Sequence, residues 1–111
     1  MIKVDYLLQD EIIRYQEQLR VFRISLQKLP AKMPSENNIR NLCKEAAWKL
    51  AATESLVAKA FKSKKLPYRD LSKQFFFNIG ILKQHSKYIL ALFLLKHGNY
   101  SCLQNHLNCL A

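Results

Sequence analysis

Glycine and proline are scarce in this sequence, with two and three residues respectively among 111. Turns between strands depend on them, because glycine supplies a positive φ and proline fixes the turn geometry. So few of them cannot serve the many turns of an all-β fold. Half of the residues are hydrophobic, which excludes a disordered tail. We therefore predict an all-α fold, in which residues 1–111 form a single domain, a compact bundle of five to six helices.

Long apolar runs are also missing. The longest extends from Tyr88 to Leu95, which is eight residues, whereas a helix needs about 20 apolar residues to cross a bilayer. The N-terminal segment becomes acidic before an apolar run develops, so we expect no signal peptide. The sequence predicts a cytoplasmic protein without membrane insertion, and it predicts that the Tyr88–Leu95 run is a buried helix.

Cysteine is limited to Cys43, Cys102 and Cys109, an odd number without the CxxC spacing of a zinc site. Reduced thiols are therefore the default expectation. Cys102, His106 and Cys109 would share one face of a helix, close in sequence to His97, and all four are zinc-ligand types. The leucines beside them favour the alternative, in which the thiols are small buried hydrophobic groups. We predict no metal and no cofactor.

Acidic residues are nearly absent from the second half of the chain. From Ser55 onward, nine Lys or Arg residues stand against a single acid, Asp70, while the first 54 residues hold nine basic residues and seven acids. A net charge of +8 in one half attracts polyanions, although Lys-rich helices are also found simply solvated. No Ser or Cys has an evident His and acid partner, so we predict neither enzyme activity nor a small-molecule substrate.

Hydrophobic periodicity and capping residues predict helices over about residues 5–21, 38–52, 53–61, 67–75, 78–97 and 101–110. Ser25 is expected to cap a short turn that Pro30 and Pro34 close. Thr53 and Asn78 are expected as N-caps, and Gly98 as the residue that ends the long helix. A short helix, a turn at residues 76–78 and a longer helix are the parts of a helix-turn-helix, predicted over about residues 67–97.

Several short motifs carry a family resemblance. They are Lys64-Lys65-Leu66-Pro67, then Leu71, then Lys87-Tyr88-Ile89-Leu90-Ala91-Leu92, then Gly98-Asn99-Tyr100 with Leu103, preceded by Glu11-Ile12 with Tyr15 and Leu19, Ile24-Ser25 with Leu29, and Pro34 with Arg40. In this order they resemble the C-terminal domain of sigma-I type RNA polymerase sigma factors, over about residues 8–107.

The resemblance implies a function. In such factors this domain carries the helix-turn-helix that recognises the upstream −35 element of promoter DNA in the major groove. It also implies binding by the cytosolic N-terminal domain of a membrane-anchored anti-sigma factor, and a role in stress responses. A further implied partner is the RNA polymerase core, through a region that would precede this chain.

The residues expected to contact DNA are basic or polar. Lys62, Lys64, Lys65 and Arg69 are predicted to bind phosphates, and Asn78, Lys83, Gln84 and Lys87 are predicted to face the major groove. Lys83 and Lys87 can alternatively be solvated charges on an exposed helix face. Where the family usually has Arg or Lys, this chain has Ile79, Gly80 and Gln84. The alternative function is therefore a protein-interaction module that binds an anti-sigma factor and has weak or lost DNA reading.

An aromatic corner at Phe75-Phe76-Phe77 precedes Ile79 and Ile81. Three adjacent aromatic side chains cannot all point inward from one turn, and exposed apolar patches often mark partner sites. We predict that Phe76, Phe77, Ile79 and Ile81 bind the anti-sigma partner. Trp48 lies off the apolar stripe of its helix, where it either packs on a neighbouring helix or belongs to a partner surface.

Overall fold

The computed structural model describes residues 2–98 and Tyr100, with side chains from Leu8 onward. These residues form seven helices, and none of them lies in a β-strand. The helices are α1 (Ile2–Val21), α2 (Leu29–Lys32), α3 (Asn37–Ala52), α4 (Glu54–Ser63), α5 (Tyr68–Phe75), α6 (Ile79–Gln84) and α7 (Ser86–His97). The predicted all-α class is confirmed. The predicted helix over residues 101–110, with Cys102, His106 and Cys109, lies outside the described residues.

Helix α7 forms the centre of the bundle. Every residue from Tyr88 to Leu95 is buried, which confirms the prediction for this run. A helix that is apolar on all sides must be covered on all sides, and α7 packs against α1, α2, α3 and α6. The Tyr15 hydroxyl of α1 donates a buried hydrogen bond of 2.7 Å to the carbonyl oxygen of Ala91. This bond satisfies a phenol that would otherwise be costly to bury.

Several helix boundaries differ from the prediction, either in their position or in the role of the residue that lies there. Pro67 is the N-cap of α5, which begins at Tyr68, one residue after the predicted start. Pro30 lies in the first turn of α2 instead of closing a turn, because a missing N–H costs nothing at that position. Thr53 precedes α4, but its hydroxyl donates to the Lys49 carbonyl oxygen at 2.9 Å and does not cap α4.

The predicted long helix over residues 78–97 is interrupted at His85, where φ is −109° and ψ is 24°. The hydrogen-bond ladder nevertheless continues, since the His85 amide donates to Ile81 and the Ile89 amide donates to His85, both at 3.0 Å. A change of backbone dihedrals at one residue leaves the apolar periodicity intact, so the pattern could not reveal it. This break and the short α2 explain why the helices outnumber the predicted five to six.

Gly98 ends α7, but for a reason other than the predicted one. Its φ is −76°, so it does not adopt the left-handed conformation that favours glycine at a helix end. A Cβ at this position would instead lie 2.2 Å from the Tyr100 ring. Tyr100 packs on Tyr15, with ring centroids 5.5 Å apart, and donates a hydrogen bond of 3.0 Å to the Gln18 side chain. Gly98 therefore makes room for this contact.

Within the described range, no helix is both long enough and apolar enough to span a lipid bilayer.

Candidate nucleic-acid interface

A three-residue turn at residues 76–78 joins α5 to α6. The Phe76 amide donates to the Ser72 carbonyl oxygen at 2.9 Å, and the Ser72 hydroxyl donates to the Phe77 carbonyl oxygen at 2.9 Å. Leu71 of α5 and Leu82 of α6 are fully buried, so both helices are anchored to the same core. The turn that the sequence predicted is therefore present, and α6 follows it on the protein surface.

Asn78 is the N-cap of α6, as predicted. Its side-chain oxygen accepts a hydrogen bond of 3.2 Å from the Ile81 amide. A Cβ at Gly80 would lie 3.2 Å from this same oxygen, closer than an ordinary van der Waals contact. Gly80, one of the positions that departs from the family pattern, thus leaves space for the cap. Such a cap contributes about 1 kcal/mol to helix stability.

A cleft of about 330 Å³ lies where the α4–α5 connection meets α6 and α7. It is lined by four lysines and four other residues: Lys64, Lys65, Lys83, Lys87, Leu66, Tyr68, Ser86 and Leu90. No acidic residue is in this lining. Four of the eight residues predicted to contact DNA are therefore brought together around one cavity, although they come from three separate segments. This arrangement concentrates positive charge, and an anion in the cleft would reduce the repulsion between the lysines.

The four lysines are held in different ways. The Lys64 ammonium donates to the Phe61 carbonyl oxygen at 2.6 Å, and the Lys83 ammonium lies 5.2 Å from the centroid of the Tyr68 ring. Lys65 is exposed. Lys87 is half-buried, and its ammonium donates a hydrogen bond of 3.0 Å to the carbonyl oxygen of Phe22. The cleft with these four lysines is the basic cleft.

The expectation that Lys83 and Lys87 share the exposed face of one helix is corrected by the structure. Lys83 lies on α6 and Lys87 on α7, on opposite sides of the break at His85. The end of α1 leaves backbone carbonyl groups without helical partners, and Lys87 provides a donor for one of them. Lys87 adds charge to the cleft, but its side chain is already engaged within the fold.

The other residues predicted to contact DNA lie outside the basic cleft. Arg69, Asn78 and Gln84 are exposed on or next to α5 and α6, and Lys62 is exposed on α4. Gln84 lines a separate cleft of about 380 Å³ that also includes Glu36. Asp70, the single acid after Ser55 in the sequence, pairs with Lys59 at 2.6 Å. Its charge is thereby partly neutralised, and the surface around α5 remains positive.

The aromatic corner is only partly buried, as the sequence predicted. Phe76 is 91% exposed and Ile79 is 42% exposed. Phe77 and Ile81 are half-buried, and the Phe77 ring packs against Phe75 with centroids 6.3 Å apart. Phe76 also has a φ of 62°, a left-handed conformation that costs a residue other than glycine about 1–2 kcal/mol. Two of the four predicted partner residues are thus accessible.

The sequence left two alternatives open for Trp48, namely packing on a neighbouring helix or a place in a partner surface. Trp48 on α3 is 39% exposed and faces a cleft of about 680 Å³. Its position off the apolar stripe was the only signal of this surface, because the residue that lies over its ring, Lys96, is distant in sequence.

The described residues contain no group of three or more His, Cys, Asp or Glu side chains placed to hold a metal ion. Cys43 is completely buried, and burial raises the pKa of its thiol to about 11. A buried thiol with a raised pKa is a poor nucleophile and a poor ligand at neutral pH.

Comparison with known proteins finds similarity to bacterial RNA polymerase sigma factors. RNA polymerase sigma factor SigI of Bacillus subtilis (strain 168) is 26% identical over 99 residues, which cover 89% of this chain and 39% of the relative. SigI of Bacillus anthracis is 24% identical over 99 residues, covering 89% of the chain and 41% of the relative. SigI6 of Acetivibrio thermocellus is 29% identical over 97 residues, covering 87% and 38%.

This chain is similar to sigma-I type sigma factors. The predicted resemblance is confirmed over nearly the whole chain, which spans about two-fifths of the length of the curated relatives it matches. No protein-family model matches the sequence.

Proposed function

We propose that this chain is the DNA-binding C-terminal domain of a sigma-I type RNA polymerase sigma factor, and that it takes part in transcription initiation in the cytoplasm. In this proposal α5, the turn and α6 form a helix-turn-helix that recognises the upstream −35 promoter element. The RNA polymerase core would be bound by another part of the factor. The observation that carries the proposal is that four lysines converge in the basic cleft beside α6. The similarity to sigma factors supports it.

Different residues are proposed to contact the DNA backbone and the DNA bases. Lys64, Lys65 and Lys83 would hold a backbone phosphate by charge-assisted hydrogen bonds, which fix the position of the protein on the duplex. Asn78 and Gln84 carry exposed amide groups of the kind that read base edges in the major groove. Arg69, exposed on α5, would contact a further phosphate. No step in this function requires a reaction, so the chain acts as a binding module and not as an enzyme.

Titration of a labelled promoter duplex over a range of salt concentrations tests the proposal. We expect the Lys64→Ala/Lys65→Ala variant to bind all duplexes more weakly and to lower the slope of log affinity against log salt by about two units. The Lys44→Ala/Lys96→Ala variant removes the same charge outside the basic cleft and should leave the slope unchanged. Undetectable duplex binding at low salt, or equal effects of both variants, would refute the role in DNA binding.

A second function is favoured by the exposure of Phe76 and Ile79. The Phe76 side chain is 91% exposed and buries little apolar surface within the fold, and its left-handed backbone conformation is unfavourable for phenylalanine. It suits an apolar contact with a protein, here the N-terminal domain of an anti-sigma factor. Burial of the two side chains would contribute roughly 3–5 kcal/mol before the costs of association. Because these residues flank the start of α6, the partner would compete with DNA.

Competition between the duplex and the anti-sigma domain tests this second function. The partner domain is expected to displace labelled duplex from the wild-type chain but not from a folded Ile79→Asp variant. A stable ternary complex, or unchanged partner affinity for the variant, would show that the partner binds elsewhere.

A further inference from the structure

A second groove lies on α3 and the end of α7, built around Trp48. The groove is lined by Lys44, Glu45, Trp48, Lys49, Ala51, Ala52 and Lys96, and it encloses about 680 Å³. None of these residues lines the basic cleft. The groove is therefore a separate surface, and neither the proposed DNA contacts nor the exposed corner around Phe76 uses it.

Trp48 provides the groove with a large apolar contact surface. The side chain is 39% exposed, although tryptophan is among the residues that gain most from burial. The neighbouring methyl groups of Ala51 and Ala52 continue the apolar surface. Exposed aromatic side chains in a concave site are typical anchors of protein interfaces.

The charges around Trp48 are nearly all positive. Three lysines and one glutamate line the groove. The Lys96 ammonium lies 5.5 Å from the centroid of the Trp48 ring, and the Lys49 ammonium lies 5.5 Å from that of Phe75. In the part of the chain that the structure describes, neither lysine forms an ion pair with a carboxylate. These ammonium groups rest on aromatic rings, so their charge remains available to a ligand.

We propose that this groove binds an acidic amphipathic helix of another protein. An aliphatic side chain of that helix would pack on the Trp48 ring, while its carboxylates would pair with Lys44, Lys49 and Lys96. This is the helix-in-groove mode of recognition, in which apolar anchors give affinity and charge gives orientation. A nucleic acid fits less well, because Ala51 and Ala52 offer only apolar contact and Glu45 repels phosphate.

The separation of the two surfaces has a consequence for binding. A helix in the Trp48 groove would leave the basic cleft free, so this partner and DNA can be bound together. A partner on the corner around Phe76 would instead compete with DNA. The two protein sites are therefore distinguishable by their effect on duplex binding.

Trp48 is the only tryptophan in the chain, so its fluorescence reports on this groove alone. The probe is a 16-residue peptide with leucine on one helical face, glutamate elsewhere, and no tryptophan or tyrosine. We expect a saturable blue shift of the Trp48 emission on titration. A peptide with lysine in place of glutamate, and polyglutamate without leucine, should each produce no shift.

Matched charge reversals locate the site. The Lys44→Glu/Lys96→Glu variant should bind the labelled peptide at least tenfold more weakly, while Lys64→Glu/Lys65→Glu should bind it like the wild type. Trp48→Ala, followed by anisotropy of the labelled peptide, should also weaken binding at least tenfold. Circular dichroism confirms that each variant is folded.

Three results would overturn the proposal. The first is the absence of a saturable shift of the Trp48 emission up to millimolar peptide. The second is an equal effect of the two charge reversals on peptide binding. The third is that duplex DNA displaces the peptide and itself produces the same shift of the Trp48 emission. The last result would assign the groove to nucleic acid. Duplex binding by the wild-type chain is measured separately, so failure here leaves the proposed DNA-binding function intact.

Discussion

The ammonium group of Lys87 donates a hydrogen bond to the backbone carbonyl of Phe22, 65 residues earlier in the chain. The bond joins the start of α7, the central helix, to the chain segment that follows α1. A lysine that the sequence assigned to DNA therefore also has a structural role. The two roles predict different effects of mutation.

Replacement of Lys87 by Met retains much of the side-chain stem but removes the donor. We expect the free energy of unfolding to fall by about 1–2 kcal/mol, because the Phe22 carbonyl loses a charged hydrogen-bond partner. Urea unfolding measures the change. Lys83→Met, at an exposed position of α6, is the matched control; it removes only the contact between the ammonium and the Tyr68 ring, so the loss should be smaller, about 0.5 kcal/mol. Identical midpoints for Lys87→Met and wild type would contradict the structural role.

Phe76→Asn should stabilise the fold. Phe76 has a φ of 62° and a nearly fully exposed side chain, and asparagine adopts this conformation more readily than phenylalanine. The expected gain in the free energy of unfolding is up to about 1 kcal/mol. Phe75→Asn is the control: Phe75 is half-buried at the core, so this variant should be less stable than wild type. Loss of stability in Phe76→Asn would show that the ring has packing contacts in solution.

Stability should fall between pH 9 and 11 because of Cys43. Burial raises the pKa of this thiol from 9.0 to about 11, so the unfolded chain loses the proton first as the pH increases. The contribution of the Cys43 thiol to the free energy of unfolding is complete below pH 9. Up to about 3 kcal/mol of this free energy is lost between pH 9 and 11.

Urea unfolding at pH 8, 9 and 10 for wild type and Cys43→Ala measures the Cys43 contribution. Burial also raises the pKa of Tyr15, which lowers stability above pH 10 in both proteins alike. The difference between the two proteins therefore isolates the thiol. Parallel pH profiles for wild type and Cys43→Ala would contradict the prediction.

The two glycines should respond differently to replacement by alanine. Gly98→Ala places a Cβ against the Tyr100 ring, where contacts of 2.2 Å force the ring to move. We expect a loss of about 1–3 kcal/mol and the loss of NMR contacts between Tyr100 and Tyr15. In Gly80→Ala the new Cβ meets only the Asn78 oxygen at 3.2 Å. The better helix propensity of alanine offsets the small displacement of the Asn78 cap, so stability should be nearly unchanged.

Local signals in the sequence predicted local structure well. Asn78 caps α6 and Leu71 is buried in α5, because capping and helical periodicity depend only on residues a few positions apart. The helical segments and the turn at residues 76–78 were predicted from the same local signals. Thr53 shows the limit, since a hydroxyl can donate backward to Lys49 instead of accepting from the next helix.

Features that depend on distant residues could not be predicted in this way. The partner of Lys87 is Phe22, and Lys96 lies over Trp48 from the far end of the sequence. The basic cleft was only partly foreseeable: the sequence supplied its lysines, but not the packing that brings the α4–α5 connection beside α7. Gly98 was correctly placed at the end of α7, while its reason, the approach of Tyr100, required coordinates.

The break at His85 separates two helices, α6 and α7, whose local opening would expose very different amounts of apolar surface. Leu82 is the only fully buried side chain in the six residues of α6, whereas α7 is buried from Tyr88 to Leu95. Opening α6 therefore exposes little apolar surface, and opening α7 exposes the core. Amide hydrogens of α6 would exchange through a low-energy local opening, while those of α7 would report global unfolding. The helix proposed to read DNA can thus adjust to a duplex without loosening the bundle that carries it.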